Sequence, residues 1–163
     1  HATLRRQRQM CIRDSYGTPE PLCRMLPSFA PMYLTKNANY MSDEHFEYCD
    51  VFDPVVQQKM REVIQYEIGK QTGNSTLIGY YWTDTPQWDL ERARKKRGTD
   101  WVSTVRELPA GAPGKVRYEQ FLADGGYSDE AFLRLIAREL YMVIGEETRR
   151  LAPDVLILSL IHI

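Results

Sequence analysis

The stretch Asp53 to Trp82, DPVVQQKMREVIQYEIGKQTGNSTLIGYYW, predicts a helix followed by a buried strand. Asp53 can accept hydrogen bonds from the first free N–H groups of a helix, and Pro54 suits the first helical position. Apolar side chains then recur on one side of this helix, at Val56, Met60, Val63 and Ile64. Residues 76–82 form a nearly continuous apolar and aromatic run, which is typical of a strand buried on both faces of a parallel sheet.

The segments around this unit continue the alternation of strands and helices. Before it, a proline-rich loop over residues 16–31 leads into a predicted strand at Met32–Thr35. After it, we expect a short helix with a loop at 86–100, a loop at 108–114, a short helix at 115–122, a long helix that Ser128 caps and Pro153 ends, and a second buried strand at 155–158. This order predicts an α/β fold with right-handed crossovers, either an open parallel sheet or part of a (β/α)₈ barrel.

Composition excludes several classes of protein. The chain has 163 residues, and its 21 Lys and Arg against 22 Asp and Glu give a net charge of −1. We therefore expect neither a nucleic acid nor an anionic membrane as partner, and no apolar run is long enough to span a bilayer. His45 is alone outside the ends, and Cys23 and Cys49 lack the spacing of a zinc motif. We accordingly expect no metal and no cofactor.

The two ends differ from the rest of the chain. Residues 1–14 are basic and nearly patternless, so they could form a nucleic-acid arm or a transit peptide. However, QMCIRDS at 9–15 and LSLIHI at 158–163 resemble translated sequencing-adapter read-through in assembled environmental or transcriptome data. We interpret residues 1–14 and 159–163 as non-native, which leaves residues 15–158 as the body of the domain.

Polar side chains follow both of the first two predicted strands, at the edge where parallel α/β sheets place their sites. The second strand is followed by a carboxylate among hydroxyls and indole rings, a combination that suits sugar chemistry. A simpler interpretation is that Asp84 only caps the following segment. Trp101 could be a sugar platform or a core residue. The candidate site residues are Lys36, Asn37, Trp82, Thr83, Asp84, Thr85 and Trp88.

The run LIGYYWTDTPQWDL (residues 77–90) resembles the fourth-strand region of agarase-type glycoside hydrolases, which are retaining (β/α)₈-barrel enzymes. Residues 50–54, DVFDP, open the preceding helix as in those enzymes, residues 100–122 resemble an insert in agarase-like homologues, and residues 132–158 resemble the helix and strand that follow. The resemblance implies a partial barrel, roughly strands three to five with their helices. It also implies an extracellular or periplasmic enzyme with a polysaccharide or oligosaccharide substrate.

The sequence departs from the family at the acid/base position. In such enzymes a Glu closes the fourth strand after an Asn, whereas Asp84 stands here at the Asn position and Thr85 at the Glu position. Thr85 cannot act as a general acid, so we expect Asp84 to be the catalytic residue or an orienter. The substrate contacts would be Trp82, Trp88, Thr83, Thr85, Lys36 and Asn37. The nucleophile would lie on a later strand, so the isolated chain would be inactive.

Two alternatives stay open. The absent Glu at position 85 favours a carbohydrate-binding barrel that does not hydrolyse its ligand. A small independent α/β domain with an unrelated role also fits the order of strands and helices.

Overall fold

The computed structural model describes residues 27–34, 48–82 and 87–158. Within them, strands and helices alternate as an α/β fold requires. Their bounds are β1 Ser28–Met32, α1 Pro54–Gly69, β2 Leu77–Trp82, α2 Leu90–Arg97, α3 Trp101–Glu107, α4 Pro113–Ala123, α5 Asp129–Leu151 and β3 Leu156–Leu158. No helix in this described part is long and apolar enough to cross a membrane.

The three strands form one parallel sheet in the order β1-β2-β3. Ala30 on β1 pairs with Tyr80 on β2, which in turn pairs with Ile157 on β3. Tyr80 and Tyr81 point to opposite faces of β2 and are both buried, as predicted for a central strand. The predicted α/β class and parallel sheet are thus confirmed, and the sheet of the described residues has three strands rather than a closed barrel.

Helix α1 begins where the sequence predicts. The Asp53 carboxylate accepts a hydrogen bond of 2.7 Å from the Val55 amide, and Pro54 occupies the first turn. Met60, Val63 and Ile64 are fully buried. The predicted cap and apolar stripe are therefore both confirmed.

Helix α5 also begins at its predicted cap, because Ser128 Oγ accepts a hydrogen bond of 3.1 Å from the Ala131 amide. Its buried apolar face is formed by Phe132, Ile136, Leu140, Val143 and Ile144. The helix packs against α1, where Gln57 Nε2 donates a 2.9 Å hydrogen bond to Glu139 Oε1. Helices α1 and α5 thus cover the sheet side by side.

The prediction for the first strand was wrong in position. Strand β1 occupies Ser28–Met32, which the sequence assigned to a proline-rich loop, instead of Met32–Thr35. Pro31 is tolerated because β1 has only one neighbour in the described sheet, so its missing N–H group need not remove a ladder bond.

The last strand is not buried as predicted. Ile157 packs on the core, but Leu156 is 57% exposed and Leu158 43% exposed. Alternate side chains of a strand point to opposite faces, and β3 lies at an edge of the described sheet. The leucines therefore project on the face opposite Ile157.

The charged and proline-rich middle of the chain contains more helix than expected. Helix α2 falls within the predicted 86–100 segment, and α4 begins at Pro113 rather than Lys115. Helix α3 was not predicted. Asp100 caps it, and its turns bury Trp101, Val102 and Val105.

Candidate functional site

Most of the predicted site residues lie outside the described residues. These are Lys36, Asn37, Thr83, Asp84 and Thr85. The structure does place the two flanks of the Asp84 segment. On one side, the backbone of Trp82 ends β2 in register with Met32, and on the other side Trp88 precedes the capping residue of α2.

Trp88 lies in an aromatic group, here called the tryptophan cluster, that consists of Tyr48, Trp88, Trp101 and Tyr141. The rings of Trp88 and Trp101 are stacked, with centroids 5.4 Å apart and planes inclined by 9°. Tyr48 meets Trp101 edge-on at 5.5 Å, and Tyr141 lies 5.9 Å from Trp88. The structure therefore brings together aromatic residues from four separate segments of the chain.

Trp88 and Trp101 differ in burial and therefore in the roles that their indole rings can have. Trp101 is 0% exposed, so it is a core residue and offers no platform to a sugar. Trp88 is partly buried, and one face of its ring is already occupied by Trp101. Only the remainder of the Trp88 ring is left for a ligand.

Both indole N–H groups of the cluster are buried and have no hydrogen-bond partner among the described residues. A buried donor without a partner costs about 1–3 kcal/mol. Tryptophan in a core usually finds an acceptor. The two Nε1 atoms are therefore the polar positions of this cluster that an acceptor group could satisfy.

The cluster lies near the edge of the sheet at which sites of parallel folds gather. Trp88 follows the carboxyl end of β2, and Tyr48 precedes the start of α1. In a βα unit both positions belong to the carboxyl edge. Tyr48 and Tyr141 are the residues of this group that sequence reasoning missed, since nothing local indicates that they would meet the two indoles.

A charged network borders the cluster. Asp100 is 0% exposed, and its carboxylate accepts hydrogen bonds from the amides of Val102 (2.8 Å) and Ser103 (3.1 Å), from Ser103 Oγ and from Arg94 Nε. Burial alone would raise the pKa of the Asp100 carboxyl, but these hydrogen bonds outweigh it and hold that pKa below its ordinary value. The Asp100 carboxylate therefore has a structural role. Its amide and hydroxyl donors belong to the first turn of α3, and Arg94 belongs to α2.

Asp129 extends this network across three helices. Its carboxylate pairs with Arg94 of α2 at 3.2 Å and also with Arg106 of α3, while Asp129 itself opens α5. Lys115 Nζ donates a 2.6 Å hydrogen bond to the carbonyl oxygen of Arg106. Basic side chains of α2 and α3 thus meet at Asp129, and Lys115 joins α4 to the backbone of α3.

In the part of the chain that the structure describes, no group of three or more His, Cys, Asp or Glu side chains could hold a metal ion. Burial raises the pKa of the Cys49 thiol to about 12, so this thiol is protonated at neutral pH. Comparison with protein-family models, with curated proteins and with solved structures gave no match.

Proposed function

We propose that residues 15–158 belong to a retaining, agarase-type glycoside hydrolase that cleaves O-glycosidic bonds in a polysaccharide. The observation that carries the proposal is the sheet, in which three parallel strands are neighbours in chain order with helices between them. A (β/α)₈ barrel repeats this arrangement around its circumference. A doubly wound sheet instead reverses its strand order at a switch point.

The position of Asp84 gives further support. Asp84 lies between the end of β2 and Trp88, and thus on the segment that leaves the carboxyl end of a central strand. Catalytic residues of barrel enzymes occupy such strand ends. Trp88, four residues after Asp84 in the chain, is only partly buried and retains some aromatic surface of the kind that packs against pyranose rings.

In this proposal Asp84 either is the acid/base residue or orients the residue that has this role. As the acid it protonates the leaving glycosidic oxygen, and a carboxylate on a later strand, about 5–5.5 Å away, forms the glycosyl-enzyme intermediate. Thr83, Thr85, Lys36 and Asn37 hydrogen-bond sugar hydroxyls, and Trp82 and Trp88 stack on the sugars. An enzyme acting on a polymeric substrate of this kind would work outside the cytoplasm, in the extracellular medium or the periplasm.

The decisive experiment begins with the gene. Long-read sequencing across both ends provides the flanking sequence, and the protein it encodes is then expressed and assayed for release of reducing ends from agar-type polysaccharides. We expect Asp84→Asn to lower kcat by about 10²–10⁴-fold, the range typical of a lost general acid.

Asp154→Asn is the matched control. Asp154 is exposed and precedes β3, and thus lies at the opposite edge of the sheet. We expect this variant to keep full activity. The proposal is contradicted if the flanking sequence contains no further βα units, or if Asp84→Asn is as active as Asp154→Asn.

A non-hydrolytic carbohydrate-binding barrel is the second candidate, and the observation that favours it is Thr85 at the position expected for the acid/base Glu. It predicts that the longer protein binds oligosaccharides without releasing reducing ends. A small independent α/β domain would do neither.

A further inference from the structure

Helix α2 is the most strongly charged surface of the described residues. Its eight residues, LERARKKR, contain one acidic side chain and five basic ones, in a chain whose net charge is −1. The basic residues are Arg92, Arg94, Lys95, Lys96 and Arg97. Such a concentration in a nearly neutral chain is a local feature that overall composition conceals.

Most of this charge is not needed to hold the fold together. Arg94 pairs with Asp100 and Asp129, whereas Arg92, Lys95 and Lys96 are exposed and have no ion pair with any described residue. Cations in the last turn do favour the negative end of a helix dipole. That effect does not extend to Arg92, which lies in the first turn.

Repulsion within the helix opposes this arrangement. Arg92 is three residues before Lys95 and four before Lys96, and like charges at these spacings destabilise a helix by about 0.2–0.5 kcal/mol per pair. An anionic partner would relieve this repulsion. Glu91, four residues before Lys95, offsets part of this repulsion. Arg92 is thus the cation whose position favours binding over helix stability.

The charge of α2 continues onto its neighbours. Arg106 shares Asp129 with Arg94, and Lys115 is bonded to the carbonyl oxygen of Arg106. We call this group the basic surface; its members are Arg92, Arg94, Lys95, Lys96, Arg106 and Lys115. Helix α2 starts at Leu90, directly after Trp88 and Asp89. The basic surface thus begins within a few residues of Trp88.

We propose that the basic surface binds acidic groups, sulfate esters in particular, on a polysaccharide that passes over the candidate site. This inference rests on the proposed function and adds to it a class of substrate, a sulfated rather than a neutral galactan. A polymer seated on Trp88 reaches α2 next, and its sulfates there meet the unpaired cations of Arg92, Lys95 and Lys96. Arg94 and Arg106 contribute less, because they share their charge with Asp129. Nucleic acid fits less well, because the chain carries a net charge of −1 and so lacks the broad positive field that binds a phosphate backbone.

The test compares electrophoretic retardation of the 163-residue chain in gels that contain a sulfated galactan, ι-carrageenan, with retardation in gels of neutral agarose alone. We expect Arg92→Gln/Lys95→Gln/Lys96→Gln to weaken affinity for the sulfated polymer about tenfold or more at low salt, and to flatten its salt dependence. Gln is a good helix former, so α2 should persist. Circular dichroism checks this, and Lys95→Gln/Lys96→Gln serves if the triple variant unfolds.

The matched control is Lys59→Gln/Arg138→Gln/Arg149→Gln, which removes the same amount of charge from exposed positions on α1 and α5. Less than about a twofold change is expected for it. An equal loss in both triple variants overturns the inference, because binding would then follow overall charge.

The remaining outcomes separate this inference from the function on which it rests. Retardation by agarose without any additional effect of ι-carrageenan overturns the inference and leaves the proposed function standing. Retardation by neither polymer overturns the inference, because the whole basic surface lies in this chain, whereas the proposed function is decided by the activity assay of the longer protein. Tighter binding of duplex DNA than of ι-carrageenan, abolished by the α2 variant, overturns the inference in favour of nucleic acid.

Discussion

The carboxylate of Asp50 accepts a 2.8 Å hydrogen bond from the amide of Gly114, which lies 64 residues further along the chain. The same carboxylate accepts a 3.0 Å hydrogen bond from the Phe52 amide. Asp50 precedes α1, and Gly114 lies in the first turn of α4. One side chain therefore joins the turn before α1 to the segment that the sequence analysis treated as an insert.

Substitution of Gly114 should break this connection. A Cβ atom at Gly114 would lie 2.5 Å from Asp50 Oδ1, so the carboxylate must move away. We expect Gly114→Ala to lower the free energy of unfolding by about 1–3 kcal/mol, the cost of a lost buried hydrogen bond. Urea denaturation measures it.

Gly69→Ala provides the control for this prediction. Gly69 ends α1, and a Cβ there would meet nothing within 4 Å. Alanine is the better helix former, so stability should stay the same or rise by up to about 1 kcal/mol. Equal effects of the two substitutions would show that the Asp50–Gly114 hydrogen bond contributes nothing.

The buried carboxylate of Asp100 predicts a loss of stability in acid. Because its pKa is lowered in the folded protein, the stabilisation is complete above the pKa of the unfolded chain, about 3.9, and is lost as pH falls through the lower, folded value. Asp100→Asn should lower stability at pH 7 by about 1–2 kcal/mol and reduce the difference between pH 7 and acid. Urea denaturation across this pH range provides the test.

Asp89→Asn is the corresponding control, since Asp89 also caps a helix but is exposed. Asn is as good a capping residue as Asp, so little change is expected at either pH. If Asp100→Asn left the acid dependence of stability unaltered, other carboxylates would be its source.

Gly79 lies where β2 and β3 approach each other closely. A Cβ atom at this position would lie 2.2 Å from the carbonyl oxygen of Leu156, its partner on β3. We expect Gly79→Ala to separate these strands, lowering the melting temperature and accelerating hydrogen exchange in β3 more than in β1. Gly145→Ala, in the interior of α5 and with the nearest atom 3.5 Å away, should neither lower the melting temperature nor accelerate exchange in β3. Uniform acceleration throughout the sheet would contradict a local effect at β3.

The sequence predictions were accurate where the residues that determine a feature lie close to it in the chain. The caps Asp53 and Ser128 act on amides within three residues, so both helix starts were predicted correctly. The position of β1 depends instead on its pairing with β2. Pro31 made the sequence of this segment resemble a loop. Similarly, the exposure of Leu156 depends on which elements cover β3, which its own apolar sequence does not reveal.

The same difference between local and long-range determinants applies to the candidate site. Trp88 could be singled out because it follows a strand at close spacing, but its stacking on Trp101 and its contact with Tyr141 join distant segments. A single sequence contains no signal for such pairs. The role of Asp84 stays a prediction, since it lies outside the described residues.

The stacked indoles of Trp88 and Trp101 give the cluster a spectroscopic signature. Rings whose centroids lie 5.4 Å apart couple their electronic transitions, and skewed transition dipoles within such a stack give paired far-ultraviolet circular dichroism bands of opposite sign. Trp88→Phe and Trp101→Phe should each abolish these bands. Persistence of the bands in either variant would contradict the stack.

Comparing Trp88→Phe with Trp88→Ala separates packing from ligand binding at this residue. Truncation to Ala leaves a cavity against Trp101 and should cost about 3 kcal/mol, whereas Phe retains an aromatic face and should cost less. If Trp88 also stacks on a sugar, as the proposed function requires, Trp88→Ala should raise the KM of the proposed hydrolase and Trp88→Phe should raise it little. If Trp88 only supports the segment that contains Asp84, kcat falls and KM does not change, because the acid is then displaced while the sugar contacts remain.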